Sequence, residues 1–357
     1  MCTKNQETIQ QNNLKSRDYY FDNAKFILAM LVVLGHAYRP LIDENEIIKA
    51  IYLSIYTFHM PLFILISGYF AKNYSKEGQN KKLINSVLIP YIIFEILYSL
   101  YDHWVYQTDS VTFTILEPYW IMWFLFSLFL WRLILPYIVH LRYSLVIAVL
   151  LSVGIGYIDE ADGFLSLSRT IAFFPFFLLG FYLKRHHIER LFTSRKRIIG
   201  YTGLLLFFLM MYGLEFHSSI DLDLRRWLYF EFPYEDIGHP EWYAGGIRIA
   251  LILLALVASF FLLSIIPQRK TFFSKMGSRS IYVYLIHGFF IKFYDAMDLD
   301  DKFSGLAFYL LVTVFAILLT VLLSSQWIQR MFQPMIQPNI QWIYHHTKHN
   351  KWNKATY

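Results

Sequence analysis

The chain has 357 residues, 56% of them hydrophobic, 19% aromatic and 16% charged, with a mean hydropathy of +0.39. Soluble domains carry about a quarter charged residues, so the composition excludes an ordinary water-soluble fold. The formal net charge of +6 is dispersed over alternate short loops, a pattern of membrane topology rather than of a nucleic-acid-binding face.

Residues 1–20 are polar and read as part of a cytoplasmic tail with no cleavable signal peptide. The single cysteine, Cys2, excludes an intramolecular disulfide framework and any multi-cysteine zinc cluster. A bilayer core of roughly 30 Å needs about 17 to 25 mainly apolar residues per helix. Such runs fall at 24–40, 47–71, 83–104, 119–140, 143–158, 165–184, 198–216, 243–266, 279–297 and 303–326. The expected fold is therefore all-α, a polytopic transmembrane helical bundle of about ten helices with no soluble domain. It divides into a tail over 1–23, a membrane unit over 24–326 and a second tail over 327–357.

The loops support that count. One alternate set is basic, with Lys72, Lys76, Lys81 and Lys82, then Arg142, then Lys184 through Arg197, then Arg269, Lys270, Lys275 and Arg279. The other set is acidic, with Asp43, Glu44 and Glu46, then Asp159, Glu160 and Asp162, then the 217–241 loop. The positive-inside rule then places both termini in the cytoplasm of a cell-membrane protein. The aromatic segment over 217–242 reads either as a lid or sugar-stacking loop or as an interfacial re-entrant segment.

Ionisable side chains at membrane depth are costly and commonly face a bundle interior. The sequence places Lys25 and His36 in the first run, His59 in the second, Glu95 in the third, Arg132 in the fourth, Arg169 in the sixth, Arg248 in the eighth and His287 in the ninth. Lys25 and His36 are separated by close to three helical turns, and Asp22 lies near the same stripe, so the three share one face. No histidine pair has the i, i+4 spacing of a helical metal site; near-neutral imidazoles on separate helices suit proton transfer better. No metal is expected.

The segment FDNAKFILAMLVVLGHAYRP resembles the first helix of bacterial integral-membrane O-acyltransferases, the acyltransferase type 3 family, and is closest to the branch described as fucose 4-O-acetylase-like. FHMPLFILISGYF, WFLFSLFLW, SRTIAFFPFFLLGFYLKR and GSRSIYVYLIHGFF resemble later helices of that family, in the expected order. Lys25 stands where the family usually carries an arginine, ahead of the histidine matched by His36. Lys82 with Asn85 stands nearest the family's paired-arginine motif.

The resemblance implies a membrane O-acyltransferase that moves an acyl group, acetyl above all, from acetyl-CoA as donor substrate to a hydroxyl of a cell-envelope or exported glycan. It needs no bound cofactor. The expected catalytic residues are His36, Lys25 and Asp22; Arg169, His59 and His287 are expected to meet the acceptor. Lys72, Lys81 and Lys82 are expected to attract donor phosphates, or else serve only as topology determinants. The rival expectation is a polysaccharide or lipid-linked-sugar transporter or flippase. The expected partners are acyl-CoA, a glycan and the bilayer, with no nucleic acid.

Overall fold

The computed structural model describes residues 18–74, 79–108, 110–111, 113–159, 164–216 and 223–338. Cys2, the tail histidines His345, His346 and His349, and most of both tails lie outside the described residues, as do Lys76, Glu160 and Asp162. Each of the ten apolar runs is helical. In chain order the main helices are α1 (Tyr19–Tyr38), α2 (Glu46–Tyr69), α3 (Gln79–Tyr106), α4 (Trp123–Ile138) and α5 (Ser144–Gly154). They continue with α6 (Leu167–Ala172), α7 (Phe174–Tyr182), α8 (Ser194–Phe216), α9 (Leu224–Tyr229), α10 (Ala244–Ile265), α11 (Ser280–Asp295), α12 (Leu306–Leu323) and α13 (Gln326–Ile336).

Among the described residues, seven helices are long and apolar enough to cross a membrane alone, namely α1 to α4, α8, α10 and α12. An eighth span is broken: α6 and α7 meet at 51°. The remaining two runs form shorter helices, α5 and the 16-residue α11. The last turn of α11 holds Lys292 and Asp295, whose charge keeps that end in a polar mouth rather than in lipid. The chain is a helical membrane bundle.

Between aligned apolar helices in lipid, close packing and buried hydrogen bonds take over from the hydrophobic effect. Helix α2 lies at the centre, against α7, α10, α1 and α8. Its crossing with α7 is reciprocal: a Cβ on Gly68 would lie 2.0 Å from the Phe177 carbonyl oxygen, and one on Gly180 would lie 1.9 Å from that of Leu65. Helix α1 is held to the turn after α10 by Asn23. Its amide donates to the carbonyls of Pro267 (2.8 Å) and Arg269 (3.0 Å), and its oxygen accepts from Thr271 (2.9 Å) and Ser274 (2.7 Å). Tyr98 and Tyr101 of α3 donate to the carbonyls of Leu285 and Phe289, each at 2.9 Å, which ties α3 to α11.

Candidate active site

Helices α1, α2 and α11 carry the three intramembrane histidines to one place. His36, His59 and His287 line a single cavity of about 300 Å³, and Arg169 of α6 reaches the same cavity. Its mouth is charged, with Arg39, Glu231, Lys292 and Asp295. The mouth lies at the end of the bundle remote from the start of α1. Cavities near this size with a few convergent polar groups are the usual form of a small-molecule site.

The ring of His36 lies 5.4 Å from that of His287 and 5.0 Å from that of Trp120, centroid to centroid. Its Nδ1 is 3.3 Å from the Tyr56 hydroxyl. Glycine at 35 makes that contact possible, since a Cβ there would come within 3.0 Å of the Tyr56 ring. The other two imidazoles are held by their own helices. His59 Nδ1 lies 2.8 Å from the Ile55 carbonyl, and His287 Nδ1 lies 2.9 and 2.8 Å from those of Val283 and Tyr284. A carbonyl only accepts, so Nδ1 carries the proton in both rings, and each Nε2 is an acceptor while the ring is neutral. His287 is fully buried and its Nε2 has no protein partner.

Tyrosines extend this polar core. Tyr56 stacks on Tyr52 at 4.1 Å, and the Tyr52 hydroxyl meets that of Tyr229 at 2.5 Å. Arg169 is delivered by broken backbone. The chain enters α6 through two left-handed residues, Leu165 (φ 56°) and Ser166 (φ 42°), and α6 ends at the bend after Ala172. Side chains from α4 and α5 satisfy carbonyls at that break: Trp131 donates to Thr170 at 2.7 Å and Ser152 to Ala172 at 2.8 Å. This is how a helix is interrupted at membrane depth without orphaned backbone groups. Arg169 pairs with Glu231 at 2.9 Å and lies over the Trp123 ring at 5.1 Å. At the mouth Lys292 pairs with Asp102 at 2.8 Å and donates to the Tyr119 hydroxyl, while Asp295 accepts from Tyr106 at 2.7 Å.

The structure separates the residues singled out from sequence into two sets. His36, His59, His287 and Arg169 meet in the cavity. Asp22 and Lys25 do not; they form an ion pair of 3.0 Å at the far end of α1, with Lys25 over the Phe70 ring at 5.5 Å. Lys72 lies at that same end, over Tyr69 at 4.1 Å and bonded to the Leu183 carbonyl, and Lys81 and Lys82 are exposed on the first turn of α3. Glu95 is buried and accepts from the Tyr119 amide through both oxygens, at 2.9 and 3.1 Å, which fixes the approach to Trp120. Arg132 and Arg248 lie outside the cavity wall. Arg248 is fully buried between Phe230 (4.6 Å) and Tyr234 (5.1 Å).

Sequence reasoning missed Tyr56, Trp120, Lys292 and Asp295. Tyr56 had a signal, three residues before His59 on the same helical face. Glu231 and Tyr229 come from the aromatic 217–242 segment, whose described part lies over the cavity as one of its walls. Among the described residues, no group of three or more His, Cys, Asp or Glu side chains is placed to hold a metal ion.

No solved structure matches the chain. A nodulation protein NolL from Mesorhizobium japonicum is 29% identical over 184 residues, which cover 46% of this chain and 48% of the relative. Another NolL, from Sinorhizobium fredii, is 48% identical over 59 residues, 16% of each chain. The chain thus matches about half the length of the first relative and a smaller part of the second. The family model described as an acyltransferase domain matches residues 18–325, and the chain belongs to that acyltransferase family.

Proposed function

We propose that this acyltransferase moves an acetyl group from acetyl-CoA to a hydroxyl of a cell-envelope or exported glycan, with His36 as the catalytic residue. The observation that carries the reading is the meeting of three intramembrane imidazoles and Arg169 on one cavity with a polar mouth. His36 takes the proton of the attacking sugar hydroxyl as its oxygen bonds to the thioester carbonyl carbon. The carbon–sulfur bond then breaks, and the proton passes to the departing CoA thiolate. Acyl transfer by way of the imidazole itself gives the same balance in two steps. His287 Nε2 is available to accept from the same hydroxyl, and Arg169, which lines the same cavity, meets the charge that develops on the carbonyl oxygen.

With both termini cytoplasmic, the cavity opens to the outer face and Lys72, Lys81 and Lys82 face the donor's phosphates. In this arrangement Asp22 and Lys25 belong to donor reception rather than to the chemical step. The unit set at 24–326 then works as one domain, to which the start of α1 at Tyr19 and the helix α13 up to Ile336 also belong.

The test uses purified protein in liposomes with radiolabelled acetyl-CoA and a fucosylated oligosaccharide. Label is expected on the sugar as a base-labile ester. His36→Ala is expected to lower the rate at least about a hundredfold with an unchanged elution profile. Sugar crossing the bilayer without label would support a transporter instead, and full activity of the His36→Ala variant would end the assignment.

A further inference from the structure

Beneath the imidazoles, on the side toward the start of α1, a second and much smaller recess shares part of the cavity wall. Its volume is only about 10 Å³. The three histidine helices each contribute the residue one turn deeper: Val32 precedes His36 by four positions, Phe63 follows His59 by four and Val283 precedes His287 by four. Ala29 lies a further turn down α1, and Val32, Met60 and Tyr284 belong to both spaces.

The walls of the recess are almost wholly apolar. Its end is shut by aromatic edges, with Phe63 against Phe124 at 5.7 Å and Phe124 against Tyr284 at 5.4 Å, each T-shaped. Space of this size is of the order of one water or one methyl group, and an apolar lining offers water too few hydrogen-bond partners to hold it. The depth is set by packed rings rather than by a loop, so extra methylenes meet overpacking costs.

We propose that this recess receives the methyl group of the transferred acetyl unit, and that Phe63, Phe124 and Val32 set the length of acyl chain the enzyme accepts. The inference rests on the acyl-transfer reading and names the residues behind its choice of acyl group. With the methyl seated below and the thioester carbonyl level with His36, the acceptor hydroxyl approaches from the polar mouth above. Excess length has nowhere to go: it must displace the Phe63–Phe124 pair. One methylene in such a pocket changes selectivity by about 10- to 200-fold.

The experiment measures initial rates of CoA thiol release from acetyl-, propionyl- and butyryl-CoA in liposomes, with the fucosylated oligosaccharide as acceptor. The unsubstituted protein is expected to prefer acetyl over propionyl, and propionyl over butyryl, by at least about tenfold per step. In Phe63→Ala, and separately in Val32→Ala, the acetyl-to-butyryl ratio is expected to fall at least about tenfold. Equal use of all three donors by the unsubstituted protein would overturn the proposal. So would an unchanged ratio in a substituted protein that still transfers acetyl, and either result leaves acyl transfer standing. Absence of transfer from every donor would instead remove the acyl-transfer reading, and this proposal with it.

Discussion

His36 Nδ1 has the Tyr56 hydroxyl as its side-chain partner, at 3.3 Å, whereas His59 and His287 are anchored by carbonyls of their own helices. The imidazole proposed to react is thus the one held least rigidly, by a single long contact. A neutral hydrogen bond of this kind contributes about 0.5–1.5 kcal/mol. Tyr56→Phe should therefore slow acetyl transfer about two- to tenfold, mainly through kcat, with the acceptor KM little changed. Steady-state kinetics in liposomes check this; a loss as deep as that of His36→Ala would make Tyr56 a proton-transfer residue in its own right. At this scale the sequence showed which histidines are buried but not how deep each charge lies. Helical spacing puts Asp22, Lys25 and His36 on one face, yet a shared face spans the whole length of α1. The ion pair of Lys25 with Asp22 sits about three turns from His36.

Among the elements, the helices themselves were legible because long apolar runs leave few alternatives in lipid. Their interruptions were not. The 51° bend between α6 and α7 depends on Trp131 and Ser152 reaching the freed carbonyls from other helices, and no local pattern reports that. The same holds for glycine. Gly68, Gly180 and Gly213 look alike in sequence, but only the first two lie where α2 and α7 touch backbone to backbone. A Cβ at Gly180 meets a carbonyl oxygen that cannot rotate away, so Gly180→Ala must push the helices apart, a cost of about 1–3 kcal/mol or more. Gly213 in α8 has nothing within 4 Å, and alanine there should be neutral or add up to about 1 kcal/mol. Thermal unfolding in detergent is expected to show a lower midpoint for Gly180→Ala and none for Gly213→Ala. Equal midpoints would mean that the α2–α7 crossing has slack.

For the whole molecule, the site and the basic loops occupy opposite ends of the bundle, and this polarity decides how the enzyme is supplied. The rim of Arg39, Glu231, Lys292 and Asp295 lies at the end shared by the α2 start and the loop before α10. Lys72, Lys184 and Arg269 flank the other end. Loop charge orients membrane proteins through Lys and Arg retained inside, so the basic end should be cytoplasmic and the rim should face out. The chain offers a clean test because Cys2 is its single cysteine. In a Cys2→Ser background, Trp242→Cys and Phe272→Cys place one thiol at each end, at positions 87% and 84% exposed, on loops that flank α10. In intact cells a membrane-impermeant maleimide should label the residue-242 variant and spare the residue-272 variant until the membrane is opened. The reverse pattern would put the cavity on the cytoplasmic side, where donor and acceptor would meet without the bilayer between them. Labelling of both in intact cells would mean that α10 does not cross, and the alternation of loops on which the orientation rests would fail with it.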